Sequence, residues 1–193
     1  MVIINVNRFT TKKGVIFMPK IIENARGLLI DEAKKQIQEN GYESVTIRSI
    51  ARGCQIGLGT FYNYFKSKDV LIATYLLEEW EERLARINNQ SEDESDPMEL
   101  VKTINFELGG FLKNNASVFY AEGASKAFQG SSRTYHKLLI QQISEPLCKI
   151  CAREGYENPE FLSQFVSEAI LTWTVAKKDF NEVAPVMSKL FIK

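Results

Sequence analysis

The chain has 193 residues, of which 45% are hydrophobic, and its 24 Lys and Arg are balanced by 24 Asp and Glu. This composition is ordinary for a globular protein and excludes a chain too polar or too highly charged to fold. No apolar run approaches the roughly 20 residues that a bilayer-spanning helix needs, so we expect no membrane partner.

Residues 1–19 are predicted to be a tail ahead of the first helix. Their apolar runs are short and interrupted by polar residues, without a small-residue cleavage site, so they do not resemble a signal peptide and we expect a cytoplasmic protein. Two interpretations of residues 1–17 stay open. They are an extension upstream of a natural start at Met18, or they form a basic arm that adds nonspecific affinity for nucleic-acid phosphate. The basic residues of that arm are Arg8, Lys12, Lys13 and Lys20.

Residues 20–66 are predicted to form a compact head of three helices. The first helix has apolar residues at helical spacing and ends at Gly41. These residues are Ile22, Ala25, Leu29, Ala33 and Ile37. Thr46 can cap the second helix. The apolar residues of that helix fall on one face. They are Ile47, Ile50, Ala51 and Cys54. After a turn of about three residues, the third helix places Leu58, Phe61 and Phe65 in a sector of roughly 60°.

The opposite face of that third helix suits DNA. It carries small, amide, phenolic and cationic residues, namely Gly59, Thr60, Asn63, Tyr64 and Lys66. An Asn side chain can pair with an adenine edge in the major groove, while Thr, Tyr and Lys can hold phosphates. The pattern favours a helix-turn-helix that reads DNA. A polar outer face is also typical of any helix pair at the surface of a helical protein.

The charges of the chain are divided unevenly between its two parts. Up to Lys68 there are 11 Lys or Arg against 5 Asp or Glu, and from Asp69 onward there are 13 against 19. A basic N-terminal third would be attracted to phosphate, and an acidic remainder would be repelled by it.

The run IARGCQIGLGTFYNYFKSKDVL closely resembles the helix-turn-helix signature of the tetracycline-repressor-like (TetR) family of bacterial transcription regulators. The matching segments are Ile50–Ala51, Gly59–Phe65 and Lys66–Leu71, and the resemblance covers roughly residues 20–75. It implies that Phe61 and Phe65 are core. It implies phosphate contacts by Thr46, Thr60, Tyr62, Tyr64 and Lys68. It also implies that Arg48, Leu58, Gly59 and Asn63 face bases or the groove floor.

The sequence departs from that family in the turn and at the start of the third helix. Gln55 stands where the family usually has a left-handed Gly, at a cost of roughly 1 kcal/mol or more. Gly57 replaces a capping Ser and brings no side-chain acceptor. Leu58 replaces a residue that is often polar. Its helical phase favours burial, and contact with a thymine methyl is the alternative.

Residues 67–193 are predicted to form a second, all-helical domain. Ser67 caps a long helix of about 20 residues, and the polar segment Asn88–Pro97 is predicted to be an exposed loop. Further helices are predicted near 97–114, 116–129, 132–153, 159–178 and 181–191, and Pro146 is expected to kink or split one of them. No strand is predicted.

This second domain is expected to bind a small molecule and to dimerise. Apolar pockets between helices are usual ligand sites, and the absence of an evident buried cation favours a neutral or cationic hydrophobic effector. The candidate ligand residues are Phe106, Phe111, Tyr120, Tyr135, His136 and Trp173. The resemblance places a dimer interface on the last two helices, where the candidates are Leu162, Phe165, Ala169, Trp173, Val183, Met187 and Leu190.

No catalytic motif, cofactor or metal site is expected. Cys148 and Cys151 are spaced for a shared metal ligand pair, but two thiols without further ligands are more typical of a core. We therefore predict an all-α, dimeric, ligand-responsive transcription regulator, a repressor released from a double-stranded DNA operator by a hydrophobic molecule. The alternative is a helical protein-binding or assembly module that does not bind DNA.

Overall fold

A computed structural model describes residues 3–11, 14–21, 23–121 and 132–192, with side chains described for residues 23–121 and 136–192. Two strands come first, β1 (Ile3–Thr11) and β2 (Gly14–Ile21). The head contains α1 (Ala25–Asn40), α2 (Ile47–Gly53) and α3 (Leu58–Tyr64). The remaining helices are α4 (Lys68–Asp93), α5 (Pro97–Asn114), α6 (Ala116–Phe119), α7 (Ser132–Arg153), α8 (Pro159–Val175) and α9 (Phe180–Met187).

The all-α class is confirmed for the head and for the domain that follows it. The expectation of no strand is wrong for the N-terminal tail, where β1 and β2 pair antiparallel with an irregularity between Asn5 and Arg8. The β-branched and aromatic residues of this segment suit strands, and Gly14 lies next to the connection between the two strands. Within the described ranges, no helix is both long and apolar enough to cross a membrane.

The chain divides into two compact units, one reaching Leu76 and the other beginning at Leu77 within the same helix α4. In the first unit, the core side of α1 is buried as its spacing predicts. This side consists of Ala25, Leu29, Ile30, Ala33 and Ile37. Asn24 accepts a hydrogen bond from the Gly27 amide at the start of α1, and Gly41 ends the helix with a φ of 77°. Glycine suits that end because it adopts positive φ without a Cβ clash.

Helix α4 begins as predicted, because the Ser67 hydroxyl accepts a hydrogen bond from the Val70 amide. The predicted loop at 88–97 is wrong, since α4 continues to Asp93 and leaves only a short connection before Pro97. Polar residues do not break a helix, and Arg153 donates hydrogen bonds to the carbonyl oxygens of Ser91, Glu92 and Glu94. The guanidinium of Arg153 therefore satisfies the carbonyls that the end of α4 leaves without helical partners.

The helices after α4 follow the predicted spans closely. Asp96 caps α5, and Pro97 occupies its first turn, where a missing N–H costs nothing. Pro146 lies inside one continuous helix α7, so the predicted split does not occur. The predicted helix at 116–129 is wrong in its extent, because α6 ends at Phe119 and the next two residues, Tyr120 and Ala121, are not helical; the predicted residues after Ala121 lie outside the described ranges.

A buried ion network links α4 to α5 in the second unit. Glu107 accepts hydrogen bonds from Arg83 Nη1 at 2.9 Å and from Arg86 Nε at 2.7 Å. Arg83 also donates to Glu79, which accepts a further bond from Asn115 Nδ2 at 3.0 Å. The side chains of Arg83 and Glu107 are only 11% and 7% exposed. The sequence analysis missed this buried cation, whose charge is balanced by the two carboxylates.

Candidate nucleic-acid interface

Helix α2 is fixed at its start by a reciprocal cap. The Thr46 hydroxyl accepts from the Ser49 amide, and the Ser49 hydroxyl accepts from the Thr46 amide, each at 3.0 Å. Ile50 and Ala51 are buried, whereas Thr46 and Arg48 are exposed. The cap thus holds α2 in register while leaving two predicted contact residues at the surface.

The turn between α2 and α3 has the left-handed residue that the sequence predicts. Gln55 has a φ of 56°, and the Ile56 amide donates to the Ala51 carbonyl at 2.9 Å. Ile56 is buried, which anchors the turn to the head. Cys54 donates from its thiol to the Leu28 carbonyl, and burial raises its pKa to about 11. Such a thiol is a structural group rather than a reactive one.

Helix α3 presents an open face to solvent. Gly57 caps its start without a side-chain hydrogen bond, as expected from the missing Ser. Phe61 and Phe65 are buried with ring centroids 6.0 Å apart, as the core role implies. The exposed residues are Leu58, Gly59, Tyr62 and Asn63, while Tyr64 is half-buried. At about 100° per residue, these four exposed residues span a sector of roughly 140°.

Two predictions for α3 are wrong because the buried sector is rotated from the one expected. Thr60 is only 7% exposed, so its predicted phosphate contact is not available from this surface. Leu58 is 39% exposed, so the favoured burial is wrong and its apolar side chain lies on the open face. The rotation arises because Phe61 alone sets the centre of the buried side, with Thr60 and Tyr64 on one flank.

Lys68, another predicted phosphate contact, is held inside the head. Its Nζ donates to the Tyr42 carbonyl at 3.1 Å and lies 3.9 Å from the centre of the Tyr42 ring. The Tyr42 hydroxyl in turn donates to Asp69 at 2.5 Å. Burial, followed by this hydrogen bond, raises the pKa of Tyr42 well above its ordinary value. The side chain of Lys68 therefore joins the start of α4 to the segment before α2.

The segment that carries α2 and α3 has one sign of charge. Residues 44–68 contain four Lys or Arg and no Asp or Glu. Arg48, Arg52 and Lys66 of this set are exposed. A basic segment with an exposed polar helix face attracts phosphate and lets base edges approach the amide of Asn63. This arrangement suits the binding of duplex DNA.

The five predicted ligand residues whose side chains are described do not form one enclosed site. Phe106 is 74% exposed, Tyr120 is also exposed, and Phe111 packs in the core against Trp80 and Phe119 with centroid distances of 5.4 and 5.6 Å. His136 is exposed, with Nε2 3.1 Å from a Glu168 oxygen, and Trp173 is half-buried. The side chain of Tyr135 lies outside the described ranges.

The predicted dimer residues are mostly on an accessible surface of α8 and α9. Phe165 and Leu190 are exposed, and four others are half-buried: Leu162, Ala169, Trp173 and Val183. Met187 is buried within the subunit itself, so it belongs to the core and not to an interface. Phe161, Val175, Val186 and Ile192 are exposed apolar residues that the sequence analysis missed.

Of the two cysteines of α7, Cys151 has the features of a core thiol, whereas Cys148 is half-buried. Cys151 is fully buried, and burial raises its pKa to about 11. Across the described part of the chain, no group of three His, Cys, Asp or Glu residues is placed to hold a metal ion.

The head and its exposed third helix define a helix-turn-helix protein. The pattern of the bacterial regulatory proteins of the tetR family matches residues 29–75. This match covers the helices of the head and agrees with the family resemblance seen in the sequence.

Relatives extend this similarity along the chain. The HTH-type transcriptional regulator UidR of Escherichia coli (strain K12) is 34% identical over 67 residues, which are 35% of this chain and 34% of that regulator. The match thus spans about one third of the regulator's length. The HTH-type transcriptional repressor KstR of Rhodococcus jostii is 21% identical over 82% of this chain and 77% of its own length.

A solved structure shares the fold over most of the chain. The fatty acid degradation regulator FadR from Bacillus halodurans covers 89% of this chain and 96% of its own, with a TM-score of 0.56 and 21% identity. At this identity the similarity shows the fold alone. The named relatives are regulators rather than enzymes, in agreement with the prediction.

Proposed function

We propose that this protein is a DNA-binding transcription regulator whose helix α3 reads an operator in the major groove. The observation that carries the proposal is the open face of α3, where Tyr62 and Asn63 are exposed beside Gly59 in a segment, residues 44–68, that contains no Asp or Glu. An exposed Asn can make two hydrogen bonds to an adenine edge, and Gly59 leaves room for close approach. Thr46, Tyr64 and Lys66 supply groups that bind phosphate oxygens, and Arg48 would face bases or the groove floor.

The proposal is tested by selecting duplexes from a random pool with the wild-type protein and measuring affinity by fluorescence anisotropy. Asn63→Ala should weaken binding to the selected duplex by about tenfold and relax preference at one base position, since one bidentate contact contributes about 1–3 kcal/mol. Asn40→Ala is the matched control, because Asn40 is also exposed but ends α1. Equal affinities for both variants would refute the role of α3.

The same selection separates this function from the alternative of an assembly module without DNA binding. Such a module would enrich no duplex over nonspecific competitor DNA. Recovery of a common sequence would exclude the alternative.

The regulator is further proposed to act as a homodimer through α8, α9 and the short 3-10 helix that follows them, Ser188–Phe191. Phe161 and Phe165 stack there with centroids 6.3 Å apart, and Phe161 is 74% exposed. They line a groove of about 780 Å³ together with Tyr156, Leu162, Leu190 and Ile192. Exposed apolar surface of this kind is typical of a protein interface. A symmetric dimer would also present two copies of α3 to one duplex.

Light scattering tests the dimer. Phe161→Glu should shift the protein from dimer to monomer, because a carboxylate would be buried in an apolar interface. Phe106→Glu provides the control, since Phe106 is equally exposed on α5. A dimer that survives Phe161→Glu unchanged would place the interface elsewhere.

We also propose that a small neutral or cationic hydrophobic molecule binds the second domain and releases the operator. The only support is the apolar interior around Trp80 and Phe111 together with the neutralised charge of Arg83. A panel of hydrophobic compounds would be screened for those that weaken binding to the selected duplex. If only carboxylic acids released the protein from the selected duplex, the proposal of a neutral or cationic effector would be contradicted.

A further inference from the structure

Leu58 is an apolar side chain on the open face of α3. It is 39% exposed, and the other exposed residues of this face are Gly59, Tyr62 and Asn63. The chain neighbours of Leu58 are glycines, Gly57 and Gly59. Apart from adjacent residues and the backbone of α3 itself, no atom of the described part of the chain lies within 4 Å of the position that a Cβ would take at either glycine. The accessible part of Leu58 therefore has open space beside it in both directions along the chain.

Leu58 and Asn63 lie at the two sides of the open face. At about 100° per residue, Leu58 lies about 40° from Tyr62 and about 140° from Asn63. A rise of about 1.5 Å per residue places Asn63 about 7.5 Å farther along α3. A helix in the major groove can present both side chains to base edges. Because successive base pairs are about 3.4 Å apart, the two side chains would reach positions no more than about three base pairs apart.

We infer that Leu58 determines specificity by packing against the C5-methyl group of a thymine close to the adenine proposed for Asn63. The inference rests on the proposed function. The Leu side chain has neither a donor nor an acceptor, so it cannot hold a phosphate oxygen or the polar edge of a base. The C5-methyl group of thymine is the apolar group that base pairs present in the major groove. Over guanine or cytosine, the same side chain would cover polar base atoms that lose water without gaining a hydrogen bond.

Single apolar residues are common on protein surfaces, so the alternative is that Leu58 only packs against the head. Replacing thymine by deoxyuridine separates the two roles, because it removes the methyl group and leaves every donor and acceptor of the base in place. Leu58→Ala removes the contact from the protein side, whereas Leu58→Met keeps an apolar side chain of similar volume. Leu28→Ala is the matched control, since Leu28 is 43% exposed on α1.

The measurement is the affinity for the duplex selected by the wild-type protein and for copies in which one thymine at a time is replaced by deoxyuridine. At one thymine, within about three base pairs of the adenine whose preference Asn63→Ala relaxes, the replacement should weaken wild-type binding about fourfold, as expected for the burial of one methyl group. Leu58→Ala should bind the thymine and uridine duplexes equally. Leu58→Met and Leu28→Ala should keep the fourfold difference.

A selected sequence without a preferred thymine near that adenine would overturn the inference, and so would wild-type binding that no deoxyuridine replacement weakens. A Leu58→Ala protein that still binds the uridine duplex about fourfold less tightly than the thymine duplex would also overturn it, because the loss would then be structural. If Asn63→Ala still loses selectivity in any of these cases, the proposed function stands and only the role of Leu58 falls. If the wild-type protein selects no duplex, both fall.

Discussion

Replacing Glu107 by Gln is expected to destabilise the second unit by about 3 kcal/mol. Breaking a buried ion pair costs about 3–5 kcal/mol, because the remaining charge loses its partner in a poorly solvated place. Arg83 is the partner most affected, since it is 11% exposed and would keep only Glu79 as a counter-charge. Arg86 is 52% exposed, so its bond contributes at most about 1 kcal/mol. The Gln carbonyl can still accept one hydrogen bond, which places the cost at the lower end of the range.

Thermal and urea unfolding at a fixed protein concentration measure this cost. A loss of about 3 kcal/mol lowers the melting temperature by about 6–12 °C in a chain of this size. Glu99→Gln is the control, because Glu99 pairs with Lys102 on the surface and should change stability by less than about 0.5 kcal/mol. A Glu107→Gln protein within about 1 kcal/mol of wild type would refute the argument that this network is a buried charge cluster.

The pH dependence checks the same reasoning independently. The hydrogen bond from Arg86 holds the pKa of Glu107 below its ordinary value, against the opposing effect of burial. A lowered pKa in the folded state contributes stability above the unfolded pKa of about 4.3, and this contribution is lost as the pH falls through the folded value. Wild-type stability should therefore fall on acidification below about pH 5. The Glu107→Gln protein should lose less stability than the wild type over the same acidification.

Three further substitutions test single features. Gln55→Gly should raise the free energy of unfolding by about 0.5 kcal/mol, because it relieves a left-handed residue while adding freedom to the unfolded chain. Gln38→Gly, a change inside α1, should instead lower the free energy of unfolding by about 1 kcal/mol. Urea unfolding of the two variants compares these effects. Thr60→Val should leave affinity for the selected duplex within about threefold, since Thr60 is buried, and a tenfold loss by anisotropy would restore its contact role. Arg153→Ala should cost about 1–2 kcal/mol in thermal unfolding by exposing the uncapped carbonyls of α4.

Much of the head could be predicted from local signals. The cap at Thr46, the left-handed Gln55 and the end of α1 at Gly41 depend on residues within one or two turns, so the sequence carries the information directly. Which side of α3 is buried could not be predicted in the same way. A seven-residue helix has room for few core contacts, and Phe61 outweighed Leu58 in setting its buried side. The burial of Thr60 was decided by packing partners on other helices, which helical spacing does not reveal.

The second unit shows where a sequence signal was present but incomplete. Glu107 falls between Ile104 and Phe111 on the apolar side of α5, and Arg83 falls between Trp80 and Ile87 on that of α4. A single charged residue among the apolar positions of a helix suggests that it lies near a solvated helix end, or that the helical phase has been assigned wrongly. Two opposite charges in the stripes of neighbouring helices suggest a buried pair, because each removes the cost of burying the other. Helical spacing places Glu107 and Arg83 on the apolar sides of their helices. Whether they pair depends on how α4 and α5 align, which only tertiary packing determines.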